Sequence, residues 1–265
     1  MVLMDDEYSH GLRIQPQADV DLRSQSDPGV LPRYQEGLAI CIPAFNEENT
    51  IRRVVMEANS TLEQIALPSE ILVIDDCSTD RTWGILRDTQ KLLPRLRLRR
   101  HEKNQGIASS FAELYQWASK SLVFLNSADG QWKMSTLLAL LPLANQYEIV
   151  IARRPVKHYS CGRQLVSWLF NALPAILFAT RTYDAGSVKL VWRGIYDIPI
   201  ISHGVFGEAE RIIRAQRRGF RIGVQDVEHF PRTSGKALGA KPALVFEATV
   251  DLLRCWLDIV ILRRN

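Results

Sequence analysis

The chain has 265 residues, of which 46% are hydrophobic, 23% charged and 8% aromatic, and its formal net charge is +4. This is the composition of a folded protein long enough for one large α/β domain. The mildly basic charge suits an anionic small ligand or an anionic membrane surface, and no nucleic-acid-binding motif accompanies the basic residues, so nucleic acid is not an expected partner. The cysteines Cys41, Cys77, Cys161 and Cys255 lie far apart, which argues against a zinc site or a disulfide framework.

The first 36 residues are polar, contain Pro and Gly, and lack a clear period. They predict an extended or partly ordered arm. The acidic N-terminus has no apolar stretch and so does not resemble a signal peptide. No run of about 18 apolar residues occurs, so no transmembrane helix is expected.

Alternating strands and helices are predicted from residue 38 onward. Residues 38–45 (LAICIPAF) predict the first strand, and apolar residues at i, i+3, i+4 and i+7 then predict a helix, namely Ile51, Val54, Val55 and Ala58. Residues 71–80 (ILVIDDCSTD) predict a buried parallel strand that ends in two carboxylates and a helix-capping Ser-Thr-Asp. Ligands of open α/β sheets bind at the carboxyl ends of strands, so Asp75 and Asp76 are candidate ligand-binding residues, although an ordinary strand-to-helix turn gives a similar pattern.

The same alternation continues through the middle of the chain. It predicts an α/β fold with a mostly parallel sheet and helices on both faces. The further predicted elements are a helix at 81–93, a strand at 95–101, a loop at 104–106, a helix from 107 and strands at 122–125 and 148–152.

Residues 165–180 (LVSWLFNALPAILFAT) are apolar nearly all round and are interrupted by Pro174. Two interpretations stay open. The segment is either a buried helix pair packed on the sheet, or a hydrophobic platform at a membrane surface or over a lipid acceptor.

The last quarter of the chain predicts a short strand before Arg193, a helix at 208–218 capped by Gly219, a strand at 221–227 and a helix at 242–264. The final helix has an apolar face and three arginines, so it either docks on its own domain or lies in an interface plane. The expected organisation is an arm at 1–36, a main domain at 37–240 and a C-terminal helix at 241–265.

The chemistry-bearing residues are carboxylates at successive strand ends: Glu47, Asp75, Asp76 and Asp129. No Gly-x-Gly-x-x-Gly follows the first strand and no P-loop occurs. The sequence therefore does not indicate a dinucleotide-binding protein or a P-loop NTPase. Such carboxylates can hold a base and ribose by hydrogen bonds and a hard divalent ion by their oxygens. That ion would neutralise a pyrophosphate leaving group.

Four segments in this order resemble the family 2 inverting glycosyltransferases of the GT-A fold: 43–47 (PAFNE), 73–80 (VIDDCSTD), 104–106 (NQG) and 128–131 (ADGQ). Residues 184–193 and 232–236 are similar to the branch of dolichol-phosphate mannose synthase and the polyprenyl-phosphate glucosyltransferases. The resemblance covers about residues 37–240. It implies transfer of a hexose, with inversion, from a UDP- or GDP-sugar.

The resemblance also implies roles for single residues. Those implied around the donor base and ribose are Pro43, Ala44, Glu47, Asp76 and Gly106. Asp129 is implied at the metal or diphosphate, and the cations implied near the donor diphosphate or an acceptor phosphate are Lys189, Arg193, Arg232 and Lys236. Each cation has the alternative of being a solvated surface side chain. The implied catalytic residues are Asp129, Arg232 and Glu208, and Glu208 is the first candidate for a general base, with a helix-dipole glutamate as its alternative.

The family's metal motif is Asp-x-Asp, but Ser127 stands where the first Asp belongs. A hydroxyl is a poorer ligand for a hard cation than a carboxylate. The resemblance implies Mg²⁺ or Mn²⁺ as cofactor, and Ser127 leaves three alternatives. The ion is held by Asp129, the diphosphate and water, or the site works with weak metal dependence, or catalysis has been lost.

The leading expectation is a cytoplasmic hexosyltransferase, peripheral on the inner face of a membrane, with a polyprenyl phosphate as acceptor. A hydroxyl of a soluble small molecule is the alternative acceptor. A non-catalytic nucleotide-sugar-binding protein is the alternative of another class.

Overall fold

The computed structural model describes residues 36–155, 161–202, 204–228, 230 and 242–264. The predicted arm, apart from Glu36, lies outside the described residues, as does the segment 231–241. The predicted domain boundaries stay predictions.

Within the described residues, seven strands form one sheet and seven α-helices pack on it. The strands are β1 (Leu38–Ala44), β2 (Ser69–Asp75), β3 (Leu96–Arg100), β4 (Leu122–Leu125), β5 (Ile149–Arg153), β6 (Lys189–Trp192) and β7 (Ile222–Asp226). The helices are α1 (Ile51–Glu63), α2 (Thr82–Gln90), α3 (Ile107–Trp117), α4 (Ser135–Leu140), α5 (Cys161–Phe178), α6 (Gly207–Arg217) and α7 (Pro242–Trp256).

The strand order is β3-β2-β1-β4-β6-β5-β7. The pairs β1–β2, β1–β4, β2–β3 and β5–β7 are parallel, whereas β6 runs antiparallel to both of its neighbours, β4 and β5. The predicted mostly parallel α/β sheet is therefore confirmed, with one reversed strand inside it.

Helices cover both faces of the sheet. Successive side chains of a strand point to opposite faces, so each strand contributes side chains to the core on either side. In β1, Leu38, Ile40 and Ile42 join a core with α1, α2 and α4, whereas Ala39 and Cys41 join a core with α3. A third cluster packs β5 and β6 against α5, α6 and α7. The prediction of helices on both faces is confirmed.

The apolar segment 165–180 lies largely in α5, a single helix that contains Pro174. Phe178 is buried and Phe170 packs on the core, whereas Trp168 and Ile176 are 64% and 77% exposed. Neither interpretation from the sequence describes the whole helix, because one side is packed and the other faces outward. Among the described helices, none combines the length and apolar composition needed to cross a membrane.

The C-terminal helix is present, but it ends as an α-helix at Trp256 and continues as a π-helical turn, Leu257–Ile261. The buried guanidinium of Arg214, on α6, binds this end of the chain. Arg214 contacts Glu210 at 2.7 Å and Asp258 at 2.6 Å, and it donates a 2.9 Å hydrogen bond to the carbonyl oxygen of Arg264. Glu210 also accepts hydrogen bonds from the backbone amides of Ile201 and Ser202.

We expect Arg214→Ala to lower the free energy of unfolding by about 3–5 kcal/mol, because it leaves the fully buried Glu210 carboxylate without its cation. Urea unfolding at pH 7 measures this loss. Arg254→Ala, at an exposed position of α7, is the control and should change stability by about 0.5 kcal/mol or less. Equal effects of the two substitutions would contradict the assigned role of Arg214.

Candidate functional site

The candidate site lies at the edge of the sheet where parallel strands end. The register places Ala44 beside Asp75, and Leu125 at the end of β4 beside Lys189. Lys189 is the first residue of β6, and it lies at this edge because β6 runs antiparallel to β4. Arg153 and Asp226 are paired at the same edge, at the ends of β5 and β7.

The turns after β1 and β2 are tied together by side-chain hydrogen bonds. The amide of Asn46 donates to Ser78 Oγ at 2.9 Å, and Asn46 Oδ1 accepts from the amide of Thr79 at 2.8 Å. The amide of Glu47 donates to Thr82 Oγ1 at 2.8 Å. Asn46 has φ = 54°, a left-handed conformation in which Asn is more frequent than most residues. These bonds bring the predicted residues Pro43, Ala44 and Glu47 next to the Asp75–Asp80 turn.

Asp75 is fully buried and is neutralised by a guanidinium. Its Oδ2 lies 3.0 Å from Arg100 Nε and accepts a 3.3 Å hydrogen bond from the amide of Ser78. Arg100 also donates to the carbonyl oxygen of Ser78 at 2.9 Å. Asp75 therefore acts mainly on the turn that carries Asp76.

The carboxylate of Asp76 accepts hydrogen bonds at both of its oxygens. Its Oδ1 accepts from the amide of Gln105 and its Oδ2 from the amide of Gly106, both at 2.8 Å. His101 Nδ1 lies 2.7 Å from Asp76 Oδ1, and His101 Nε2 lies 3.0 Å from Glu113 Oε2. Gly106 has φ = 86° and directly precedes α3. The predicted residues Asp76 and Gly106 are therefore joined by a hydrogen bond.

His101 carries a raised pKa. Burial of the ring lowers it, but the hydrogen bonds and charges of Asp76 and Glu113 outweigh burial and raise the pKa above its ordinary value of 6.5. The pKa of Glu113 is lowered, since hydrogen bonds from Arg99 and His101 outweigh the opposing effect of burial. The two carboxylates thus stabilise a cation between them.

Asp129 lies in the turn after β4, one residue before Gly130. The amide of Asp129 donates to Ser127 Oγ at 3.3 Å, and Asp129 Oδ1 accepts from the amide of Gln131 at 3.0 Å. Gly130 has φ = 70°, and a Cβ there would collide with the guanidinium of Arg53. This turn is also tied to Phe230, whose amide donates to the carbonyl oxygen of Gln131 at 3.1 Å.

The donor set around Asp129 fits a divalent ion only together with a ligand. In the described part of the chain, no group of three or more His, Cys, Asp or Glu side chains is placed to hold a metal ion. Mg²⁺ usually keeps several waters and takes one or two protein carboxylates plus substrate phosphates. Asp129 alone is consistent with that mode of binding.

Lys189, which is buried, and Glu208, which is partly buried, form an ion pair beneath the site edge. Lys189 Nζ lies 2.9 Å from Glu208 Oε2, and Tyr115 Oη donates to Glu208 Oε1 at 3.0 Å. Burial raises the pKa of Glu208, but the charges of Lys189 and Arg211 and the two hydrogen bonds outweigh it, so the pKa lies below 4.5. Both oxygens of the candidate base are therefore engaged, and the ammonium of Lys189 faces a carboxylate.

The structure does not bring Arg193 together with the other predicted residues. Arg193 directly follows Trp192, which pairs with Leu122 at the start of β4, at the opposite end of the sheet. Its Nε donates to the carbonyl oxygen of Ala118 at 2.8 Å. This position does not fit a role at the donor diphosphate, because β6 runs antiparallel. Arg232 and Lys236 lie outside the described residues.

Two features at this edge were not singled out from the sequence. His101 is one, and the other is a bidentate pair in which Arg154 Nε and Nη2 contact the Asp184 carboxylate at 2.7 and 2.8 Å. The Arg154 guanidinium lies 5.6 Å from the Trp132 ring centroid. The position of Arg154 directly after a strand was a usable signal, whereas nothing local marked His101 as the partner of Asp76.

Comparison with known proteins places the chain among glycosyltransferases. The family model described as "Glycosyl transferase family 2" matches residues 39–190, more than half of the chain. The chain is 27% identical over 134 residues to a dolichol-phosphate mannosyltransferase of Pyrococcus furiosus, a match that covers 50% of this chain and 36% of that protein. It is 28% identical over 143 residues to an undecaprenyl-phosphate 4-deoxy-4-formamido-L-arabinose transferase of Pectobacterium carotovorum, covering 52% and 43%. The matches span about a third to a half of the length of these curated relatives.

Solved structures share the fold at lower identity. Glucosyl-3-phosphoglycerate synthase from Mycobacterium tuberculosis, in complex with Mn²⁺, UDP and phosphoglyceric acid, aligns with a TM-score of 0.67 and 17% identity over 83% of this chain and 78% of that one. Mannosyl-3-phosphoglycerate synthase from Rubrobacter xylanophilus aligns with a TM-score of 0.68 and 15% identity over 86% and 75%. Both confirm the predicted GT-A type of α/β fold.

The lowered pKa of Glu208 predicts a specific acid dependence of stability. A carboxylate with a depressed folded-state pKa contributes stability above its ordinary value of 4.5, and that contribution is lost as the pH falls through the folded-state value. We expect Glu208→Gln to lower the free energy of unfolding at pH 7 by about 1–3 kcal/mol and to flatten the loss seen on acidification. Urea unfolding between pH 7 and pH 3 measures both effects.

Glu57→Gln is the matched control, since Glu57 forms an exposed i, i+4 pair with Arg53. This control should change stability little at any pH. If Glu208→Gln behaves like the control, the carboxylate does not carry the assigned charge interactions.

Proposed function

The chain belongs to glycosyl transferase family 2, and on that premise we propose that it moves a hexose, with inversion, from a nucleotide-diphosphate sugar to a polyprenyl (dolichyl-type) phosphate. The donor is a UDP- or GDP-sugar. The acceptor phosphate is presented by a membrane surface that the protein contacts through α5 and α7.

The donor end of the proposal rests on the Asp76 turn. Pro43, Ala44 and Glu47 adjoin it, and its hydrogen bonds fix the Gln105–Gly106 backbone in front of α3. A bound nucleotide would meet a surface that is already ordered, which reduces the entropic cost of binding. Arg232 and Lys236 are proposed to contact the diphosphate, and the proposal omits Arg193.

Asp129 is the proposed ligand of Mg²⁺ or Mn²⁺. The ion would supply charge neutralisation of the departing nucleoside diphosphate. Asp129 itself is oriented for this by the amide of Gln131, which holds one carboxylate oxygen.

The observation that carries the acceptor class is the surface of α7. Its buried stripe contains Ala248, Leu252 and Cys255, whereas Phe246 and Leu253 are 73% and 52% exposed. Residues 246 and 248 lie about 200° apart around a helix, so α7 is apolar on two opposed sides. A large exposed apolar patch on a folded protein marks a site of contact with another protein or with a membrane.

Further exposed apolar side chains lie on α5 and from the π-helical turn after α7 onward. We call the whole set the α5–α7 surface, and its members are Trp168, Leu169, Ile176, Phe246, Leu253, Leu257, Ile261 and Leu262. Helices α5 and α7 are in contact with each other. Arg254, Arg263 and Arg264 are exposed on the same segment, and a membrane interface with anionic headgroups matches both the apolar and the basic side chains.

The state of Glu208 also favours a phosphate acceptor. A hydroxyl acceptor needs a general base, whereas a phosphate oxygen is already an anionic nucleophile and needs mainly alignment and charge screening. Glu208 has a lowered pKa and both of its oxygens accept hydrogen bonds. Those features weaken it as a base. We therefore assign Glu208 to holding Lys189 at the site edge.

A hydroxyl of a soluble small molecule is the second candidate acceptor. The fold is shared with a synthase whose solved complex holds phosphoglyceric acid, which motivates this alternative. A non-catalytic nucleotide-sugar binder is the third candidate, prompted by Ser127 at the position of a metal-binding carboxylate.

A donor panel tests the proposal. Purified protein is incubated with UDP-, GDP- and dTDP-sugars, with and without Mn²⁺ or Mg²⁺, and with a short polyprenyl phosphate added or omitted. We expect a lipid-linked sugar from one donor, with metal, and a roughly hundredfold lower rate for Asp129→Asn, since a bound ion supplies several kcal/mol of charge stabilisation.

The other outcomes of the panel separate the candidates. Transfer only to soluble hydroxyl compounds moves the assignment to the second candidate. The third candidate is supported if the native protein binds a donor without turnover and Ser127→Asp restores turnover. A protein that binds none of the donors contradicts the proposal altogether.

Vesicle sedimentation tests the α5–α7 surface separately. We expect binding to phosphatidylglycerol-containing vesicles, weakened about tenfold by Phe246→Ser, because an exposed aromatic ring no longer enters the interface. Leu92→Ser is the matched control. Leu92 is 59% exposed, but it follows α2 and is not part of the α5–α7 surface. Native protein that stays in the supernatant with every vesicle composition would remove the membrane from the proposal.

A further inference from the structure

The two carboxylates that face His101 favour a second proton on its ring. Its Nδ1 faces Asp76 Oδ1 at 2.7 Å and its Nε2 faces Glu113 Oε2 at 3.0 Å, and the residue is buried. An ionised carboxylate only accepts hydrogen bonds, so both ring nitrogens must donate to satisfy this geometry. Neutral imidazole donates from one nitrogen alone.

The surrounding charges favour the same state. Glu113 comes from α3 and also binds Arg99 at 3.0 Å, and Asp76 comes from the end of β2. The neighbouring carboxylate, Asp75, already has Arg100 as its cation. His101 is therefore the cation that balances Asp76.

The contact between Asp76 and His101 completes a closed set of contacts around the start of α3. Asp76 holds the amides of Gln105 and Gly106, Gly106 precedes α3, and Glu113 on α3 returns to His101. An ionised carboxylate has about four acceptor positions. The described contacts use three on Asp76, two at Oδ1 and one at Oδ2, which leaves one position at Oδ2.

We propose that His101, as an imidazolium, is a positioning residue that orients Asp76 so that the remaining acceptor position of Oδ2 meets an N–H group of the donor nucleobase. This inference rests on the proposed nucleotide-sugar donor. It adds a residue that touches no substrate yet sets the geometry of one that does. It also makes donor affinity dependent on pH. The neutral ring has one N–H, and in the tautomer that donates to Glu113 the lone pair of Nδ1 faces Asp76, so affinity decreases as the pH rises.

Two isosteric variants separate the two hydrogen bonds of the ring. In His101→Asn the amide nitrogen takes the place of Nδ1 and still donates to Asp76. In His101→Gln it takes the place of Nε2 and donates to Glu113 instead. Affinities for UDP, GDP and dTDP are measured by calorimetry from pH 6.5 to pH 8.5, and thermal unfolding verifies that both variants fold.

We expect the nucleotide that binds native protein to bind His101→Asn within about threefold at pH 7 and His101→Gln about tenfold more weakly, since only the second loses the bond to Asp76. The decline in affinity between pH 6.5 and pH 8.5 should be steeper for native protein than for His101→Asn. Equal affinities of the two variants, or the native pH profile in His101→Asn, would overturn the inference while leaving the proposed function intact. Absence of nucleotide binding by native protein would overturn both.

A measurement without nucleotide examines the imidazolium itself. The five histidines are followed by NMR through a pH titration, and His101 is assigned from the signal missing in His101→Asn. A midpoint above 6.5 supports the inference, and a midpoint at or below 6.5 overturns it.

Discussion

Buried charge is the constraint on which the site edge depends. Asp75, Asp76 and Asp184 are buried and the side chain of Glu208 is 17% exposed, and an unpaired carboxylate in such a place would be costly. Each has its own cation, at 3.0 Å for Arg100, 2.7 Å for His101, 2.7 Å for Arg154 and 2.9 Å for Lys189. The pairs join different elements of the sheet and its helices, so neutralisation and three-dimensional arrangement are achieved by the same contacts.

This pairing also limits what the edge can offer to an anionic ligand. The cations named above are committed to carboxylates, and Arg153 is bonded to Asp226 as well. A nucleoside diphosphate brings further negative charge, which must be balanced by groups other than these. The segment with Arg232 and Lys236 and a divalent ion at Asp129 are the sources that agree with the proposed function.

Much of the fold could be predicted because it follows from local pattern. The apolar run before Asp75 and the helical spacing of Ile51 and Val54 led to elements within a few residues of those observed. The role of Arg193 could not be predicted in this way. Local sequence does not state the direction of a strand, and the reversal of β6 carries Arg193 to the far end of the sheet. His101 escaped notice for a related reason, since its partners come from β2 and α3 and meet it only in the folded chain.

The apolar segment in α5 illustrates a different limit. Composition indicated an apolar helix but not which side would be covered, because that depends on helices α6 and α7 much later in the chain. Phe178 became core and Ile176, two positions earlier, faces outward. Burial of either side chain was equally compatible with the local pattern.

The two-sided character of α7 has consequences for how the protein behaves in a test tube and how its sequence can vary. With no lipid or detergent present, the exposed apolar side chains of neighbouring molecules are available to one another, so self-association should increase with concentration and with salt that strengthens apolar burial. Detergent micelles should reverse it. A helix constrained on two sides also tolerates polar replacements at few positions, so variation along α7 should concentrate in the narrow strips that include Glu247 and Arg254.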